Sequence, residues 1–345
     1  MEAAIPGHLR VGNPRPKQVE DDFRPAYPSY VARFQPGVRQ VVMAYFGIQY
    51  SGEPPKGVGE ALGWLAKAFD GLDGPKHWDR ARYTDEASFI NIISVAYWDD
   101  VTAFDGWFRA VRDGWTGVGS VSDAFGNFIE VLRPSVEGYE TLFSSLDRPE
   151  GIAALADGMS GEIQEHAYWG GMRDRLPRAQ SSALAAEASP HVVRSGDRVQ
   201  VVPQDNLCLI RSGQDWTDTD TGERKKYLEE VEPHLREGMD FLRDEGLSIG
   251  CFANRYMTVL SDGGQATEKS YGMSWWKDLS ALEAWAKSHP THVKIFGAAM
   301  KYLSELGPTA KLKLYHEVTV ARADEQFFEY RNCHSRTGLL KIHNI

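Results

Sequence analysis

Cysteine is scarce in this chain of 345 residues. The three cysteines, Cys208, Cys251 and Cys333, are odd in number, far apart and free of any CxxC spacing, which excludes a disulfide scaffold and a paired-cysteine zinc site. A reducing cytoplasm fits. Clusters of basic residues are also missing: 38 Lys and Arg stand against 48 Asp and Glu, for a formal net charge of -10. Nucleic acid and anionic membrane surfaces are therefore not expected partners. No run of about 18 apolar residues occurs, and the opening MEAAIPGHLR lacks a basic stretch followed by an apolar one, so neither a membrane span nor an export signal is expected. GxxxxGK[ST] and HExxH are absent. The GVG at 57–59 and at 117–119 lacks the third glycine and the strand-to-helix setting of a dinucleotide site.

What is present is ordinary globular material: 42% apolar residues, with 10 Trp, 14 Tyr and 15 Phe to build cores. Residues 1–39 are rich in proline and charge and read as a surface arm. From there two stretches repeat one order of elements. In 40–160, QVVMAYFGIQY reads as strand, VGEALGWLAKAF as helix, FINIISVAYW as strand, VTAFDGWFRAV as helix and GNFIEVL as strand. In 206–345, NLCLIRS, IGCFANRYMTVL, KSYGMSWW and KLKLYHEVTVA read as strands, and YLEEVEPHLREGMDFLRDE and LSALEAWAKS as helices. Trp98, Asp100, Ala103 and Trp107 match Trp276, Asp278, Ala281 and Trp285 at a constant offset, the mark of a duplicated unit. The expected class is α+β, two ferredoxin-like βαββαβ halves joined by a long Gly-, Ser-, Ala- and Pro-rich connection over 161–205.

The stretch SHPTHVKIF, 288–296, holds two histidines around a proline. Ser280 and Glu283 suggest a capping box for the helix before it, and Pro290 suits the first position of the next, with His289 as its cap. His292 then heads a stripe with Phe296, Ala299 and Leu303. The small residues 297–299 leave room for a flat ligand as broad as a porphyrin, and the absence of CxxCH excludes thioether links to one. A hydrogen-bonded core or junction histidine is the alternative for both. In KLKLYHEVTVA, His316 shares a face with Leu312, Leu314, Val318 and Val320, the face expected to look into the interior. There an imidazole can pass protons either way or serve as a satisfied core residue. Ser212 lies opposite Arg211 in the alternation of NLCLIRSGQDW and can donate a hydrogen bond into a cavity; no GxSxG surrounds it.

Taken together, EGYETLF, GEIQEHAYWGGMRDR, LIRSGQDW, GMDFLRD, SHPTHVKIF, LYHEVTV and FEYRNCHSRTG resemble the haem-containing aldoxime dehydratases, in the same order over nearly the whole chain. The resemblance implies a dimeric α+β barrel type fold, a homodimer, and a b-type haem, ferrous in the active form, between the two halves. It implies dehydration of a small-molecule aldoxime to a nitrile. It makes His292 the proximal iron ligand, with Phe296 and Ala299 on the haem side of its helix. Ser212 would hold the oxime hydroxyl and His316 would be the acid-base group, supported by Arg175 and Glu140. Arg173 and Glu137 are the neighbouring alternatives for those two supports. The rival readings are a haem peroxidase or chlorite dismutase on the same fold, a non-haem metal site of His289, His292, His316 and Glu317, or a cofactor-free binding module.

Overall fold

The computed structural model describes residues 1–118, 124–167 and 171–344; residues 168–170 of the GEIQEHAYWGGMRDR stretch and Gly119 of the second GVG lie outside the described residues. In chain order the elements begin with β1 (Ala32–Arg33), β2 (Val42–Ser51), α1 (Lys56–Phe69), β3 (His77–Thr84), β4 (Phe89–Trp98), α2 (Val101–Gly117) and β5 (Gly126–Leu132). A middle group follows: β6 (Tyr139–Phe143), β7 (Gly158–Met159), α3 (Gly171–Arg175), β8 (His191–Ser195) and β9 (Arg198–Val202). The second half contains β10 (Leu207–Asp215), then α4 (Thr221–Lys226), a π-helical turn (Tyr227–Val231) and α5 (Glu232–Asp244) in continuity. It ends with β11 (Cys251–Leu260), β12 (Ala266–Trp276), α6 (Leu279–Ser288), α7 (Pro290–Leu306), β13 (Lys313–Ala321) and β14 (Gln326–Arg331). No helix among the described residues is long and apolar enough to cross a membrane.

Twelve strands form one antiparallel sheet in the order β6-β13-β10-β12-β11-β3-β4-β2-β5-β14-β9-β8. Read outward from their junction, β3-β4-β2-β5 and β11-β12-β10-β13 place corresponding strands in the same order, and the two sets join where Thr258, Val259 and Leu260 pair with Arg82, Ala81 and Arg80. The matched residues occupy matching places. Trp98 and Trp276 end equivalent strands, Asp100 and Asp278 accept backbone N–H groups at the starts of α2 and α6, and Trp107 and Trp285 are buried on those helices. The expected capping box at Ser280 and Glu283 does not form. Asp278 caps α6 by accepting from the Ala281 N–H, while Ser280 and Glu283 both bind Arg173.

The pleat sorts each strand between two cores. From β2, Val42, Ala44, Phe46 and Ile48 pack under α1 and α2, where the Phe46 ring meets Trp107 and Trp115 edge-on. Met43 and Tyr45 point the other way, to the second half, where Tyr45 packs against Trp275 with ring centroids 6.2 Å apart. The sheet thus curls so that its two halves share an inner core of Met43, Tyr45, Val95, Leu209, Met273 and Trp275. The outer face of the second half, with Cys208, Val318 and Val320, lies under α5 and α6.

This corrects two expectations. His316 does share its face with Val318 and Val320, but that face is the one under the helices; Tyr315, Glu317 and Thr319 turn to the interior. The space between the halves is filled by aromatic and aliphatic side chains, so it does not hold a porphyrin.

The inner core also carries charge. Arg255 of β11 makes two hydrogen bonds to Glu130 of β5, at 2.6 and 2.5 Å, and the Tyr330 hydroxyl donates to the same carboxylate at 2.6 Å. Both charged groups are fully buried. Removing one partner strands the other in a low-dielectric interior, so Glu130→Ala is expected to lower unfolding free energy by about 3–5 kcal/mol, measured by urea denaturation.

Candidate functional site

Three neighbouring strands set side chains on the outer face of the second half. Ser212 on β10 is directly opposite His316 on β13, and on the other side of β13 Glu140 of β6 pairs with Val318, one diagonal step from His316. The period of two puts Glu140, His316 and Ser212 on one face. Arg175, at the end of α3, reaches them from above. Its Nε donates to Glu140 Oε2 at 2.6 Å and its Nη2 to Oε1 at 3.1 Å, while Nη1 is held by the Glu165 carbonyl at 2.6 Å. Arg175 Nη2 also lies 2.8 Å from His316 Nε2, which is itself 3.2 Å from Glu140 Oε1.

A guanidinium can only donate and a carboxylate can only accept. His316 Nε2 therefore has a partner in either state: unprotonated, it accepts from Arg175; protonated, it donates to Glu140. An imidazole so placed exchanges a proton without losing its hydrogen bond. Burial alone would raise the Glu140 carboxyl, but Arg175 and then His316 beside it outweigh burial and hold it below its ordinary value. Glu140 and Arg175 are buried, whereas Ser212 and His316 are half-exposed to the space above the strands.

The neighbouring alternatives lie elsewhere. Arg173 is bound to Glu283 and Ser280 of α6, and the Glu137 side chain is exposed. His166 was not singled out from the sequence and belongs to this neighbourhood. Its Nδ1 is buried without a hydrogen-bond partner, and burial, followed by the charge of Arg175 and His316, lowers its pKa to about 4. The only sequence signal for it was its position in the polar, aromatic stretch leading to MRDR.

The two histidines of SHPTHVKIF separate into different tasks. His289 caps α7, accepting from the Thr291 N–H, and stacks on Phe241 at 4.3 Å between ring centroids. His292, inside the first turn, lies against Trp285 with centroids 4.6 Å apart. Burial lowers its pKa to about 4 despite a hydrogen bond to the Ala286 carbonyl, so the ring is neutral at pH 7 and one of its nitrogens is fixed by backbone. A neutral imidazole oriented by a carbonyl is the form that ligates a metal.

Phe296 and Ala299 follow on the same stripe, half-covered by protein, and Tyr302 is the one residue of this 17-residue helix that is fully buried. α7 packs beside α5 and α6, with Ile295 against Gly238 of α5, and its residues join two clusters of the second half: Ile295 the one that holds Val318, and Leu303 the one that holds Leu312. A neutral imidazole beside the half-covered apolar Phe296 and Ala299 fits a flat apolar group that His292 would hold. A compact metal site of His289, His292, His316 and Glu317 does not fit, since His289 caps a helix and Glu317 is bonded on the opposite side of the sheet to Tyr97 and the Ile152 N–H.

A family model described as haem-containing dehydratase matches residues 44–339. The chain belongs to that family. It is 40% identical to the aliphatic aldoxime dehydratase of Pseudomonas chlororaphis, over 99% of this chain and 98% of that one. It is 32% identical to the phenylacetaldoxime dehydratase of a Bacillus strain, OxB-1, over 95% of each. Among solved structures, an aldoxime dehydratase superposes with a TM-score of 0.93 at 40% identity, covering 99% of this chain and 98% of that one. Another, crystallised with butyraldoxime, gives 0.94 at 39% identity, covering 99% and 96%.

Two half-buried histidines are expected to make the chain acid-sensitive in a defined window. His292 and His166 both titrate near 4 when folded and near 6.5 when unfolded, so the unfolded chain takes up protons first as pH falls. Stability of the haem-free chain is expected to be complete above pH 6.5 and to fall progressively towards pH 4. In a series of urea melts, His292→Gln should show a shallower fall than the parent chain.

Proposed function

We propose that this dehydratase removes water from aldoximes, R–CH=N–OH, to give nitriles, using haem b in the ferrous state. The observation that carries the reading is the row Ser212, His316 and Glu140 with Arg175 bonded to it, on the outer face of the same half whose α7 carries the neutral, carbonyl-oriented His292. The names and full-length similarity of the relatives support the same substrate class. When bound, the haem would supply an iron centre able to accept the oxime nitrogen and to weaken the N–O bond.

His292 holds the group from α7, and Phe296 and Ala299 line its face. Ser212 hydrogen-bonds the oxime hydroxyl and orients it towards His316. Protonated His316, its Nε2–H steadied by Glu140, gives its other proton, on Nδ1, to the departing oxygen, which leaves as water. Nδ1, now neutral, then takes the proton from the oxime carbon as the nitrile triple bond forms. The cycle returns His316 to its starting state with no net proton uptake. Acid-base transfer of this kind contributes roughly 10²- to 10⁴-fold.

The finer structural reading belongs to the same proposal. The equivalent strand orders of the two halves support a duplicated ferredoxin-like unit of the dimeric α+β barrel type, with 206–345 carrying the proximal helix. The three free cysteines, two of them buried, suit a cytoplasmic protein. A homodimer is the state the family resemblance suggests, and sedimentation of the purified chain tests it.

His316→Ala is expected to lose at least 10²-fold in kcat while keeping its haem spectrum; wild-type turnover in that variant would remove His316 from the chemistry. His292→Ala should purify without a Soret band, and a normal band there would reassign the ligand.

A further inference from the structure

The motifs that supply Ser212 and His316 each carry a charged neighbour that the proposed chemistry does not use. Those neighbours, Arg211 and Glu317, are also directly opposite each other, one residue along the same β10–β13 ladder. The pleat sends them to the other side of the sheet, where both are buried. Arg211 Nη2 donates to Asp79 Oδ2 of β3 at 2.7 Å, and Nη1 donates to the Tyr97 hydroxyl of β4. The Tyr97 hydroxyl donates in turn to Glu317 Oε1 at 2.8 Å, and the second Glu317 oxygen accepts the Ile152 N–H at 3.0 Å. The guanidinium lies 4.0 Å from the ring centre of Tyr271, whose hydroxyl reaches Asp79 Oδ1 at 3.3 Å. The next inward pair repeats the match: Gly213 faces Tyr315, whose ring lies 2.1 Å from where a glycine Cβ would be.

We propose that Arg211 and Glu317, tied by Tyr97 and Asp79 of the first half, are positioning residues that lock the register of β10 against β13 and so hold Ser212 opposite His316. A strand slip of one residue exchanges the two faces. Here it would drive Arg211 and Glu317 among the apolar residues under α5 and α6 and turn Ser212 or His316 into the inner core, leaving buried charges without partners. Small displacements below a full slip matter too, because a shift of about 1 Å between reacting groups can cost 10²-fold in rate. The inference rests on the reading of Ser212 and His316 as the reacting pair.

Three variants test it in the haem-loaded enzyme: Tyr97→Phe, which removes one hydroxyl from the network, Glu317→Gln and Arg211→Met. None of these side chains reaches the substrate side of the sheet. The expected result is a fall in kcat of about tenfold or more for Glu317→Gln and Arg211→Met, and a smaller one for Tyr97→Phe, with KM and haem content unchanged. Hydrogen exchange in the β10–β13 amides should quicken in step with the loss. In a Ser212→Ala background the Glu317→Gln loss should shrink, because the network acts through that serine.

Full kcat in folded Glu317→Gln, or losses that simply add to that of Ser212→Ala, would overturn the proposal. Should Arg211→Met fail to fold, Tyr97→Phe and Glu317→Gln decide it alone. If Ser212→Ala and His316→Ala themselves retain full activity, the site reading fails instead, and the two failures are told apart.

Discussion

The strand pleat is the constraint on which this molecule turns. Each residue of β10 and β13 faces either an interior shared by the two halves or a surface roofed by helices, and the residues proposed to react lie on the second. The interior accepts ionised groups, Arg211 with Asp79 and Glu317, and Arg255 with Glu130, only because each meets its counter-charge and a tyrosine hydroxyl in fixed geometry. Desolvating such groups costs several kcal/mol each, which is why the surrounding strands tolerate so little freedom.

The halves divide their labour accordingly. The first half contributes one short strand, β6, that crosses to the far edge of the sheet and brings Glu140 beside His316. The rest of it packs its own helices on one face and braces the second half with the other. The second half carries the rest of the proposed site, Ser212 and His316 on the strands and His292 on α7.

Much of this was legible in residue patterns. Alternation in LYHEVTV and LIRSGQDW identified the side chains that share a face, and the Trp and Asp matches at constant offset identified equivalent positions in the two halves. The stripe from His292 through Phe296 and Ala299 was readable because Pro290 and His289 set the helix start. Which face meets which partner was not readable, since a period of two says nothing about what lies above either side; hence His316 was assigned to the wrong core. β3 was missed because HWDRARYT is a half-covered strand with Ala81 as its one buried residue. The cap at Ser280 and Glu283 failed because Arg173, more than a hundred residues earlier in the chain, claims both. His166 escaped because its environment is made by distant segments.

The placement of β6 also bears on how the nascent protein matures. Leu142 hydrogen-bonds in the ladder opposite His316, so a strand made before the midpoint of synthesis waits for one made almost at the end. Contacts so distant along the chain close slowly and leave strand edges open in the meantime. A ribosome-bound fragment ending before residue 313 has the Tyr30 bridge to Phe143 of β6 and yet no β13 to pair along its other edge. Glu140 and His316 therefore meet only once β13 has been made, and a product that stops short of it lacks that pair.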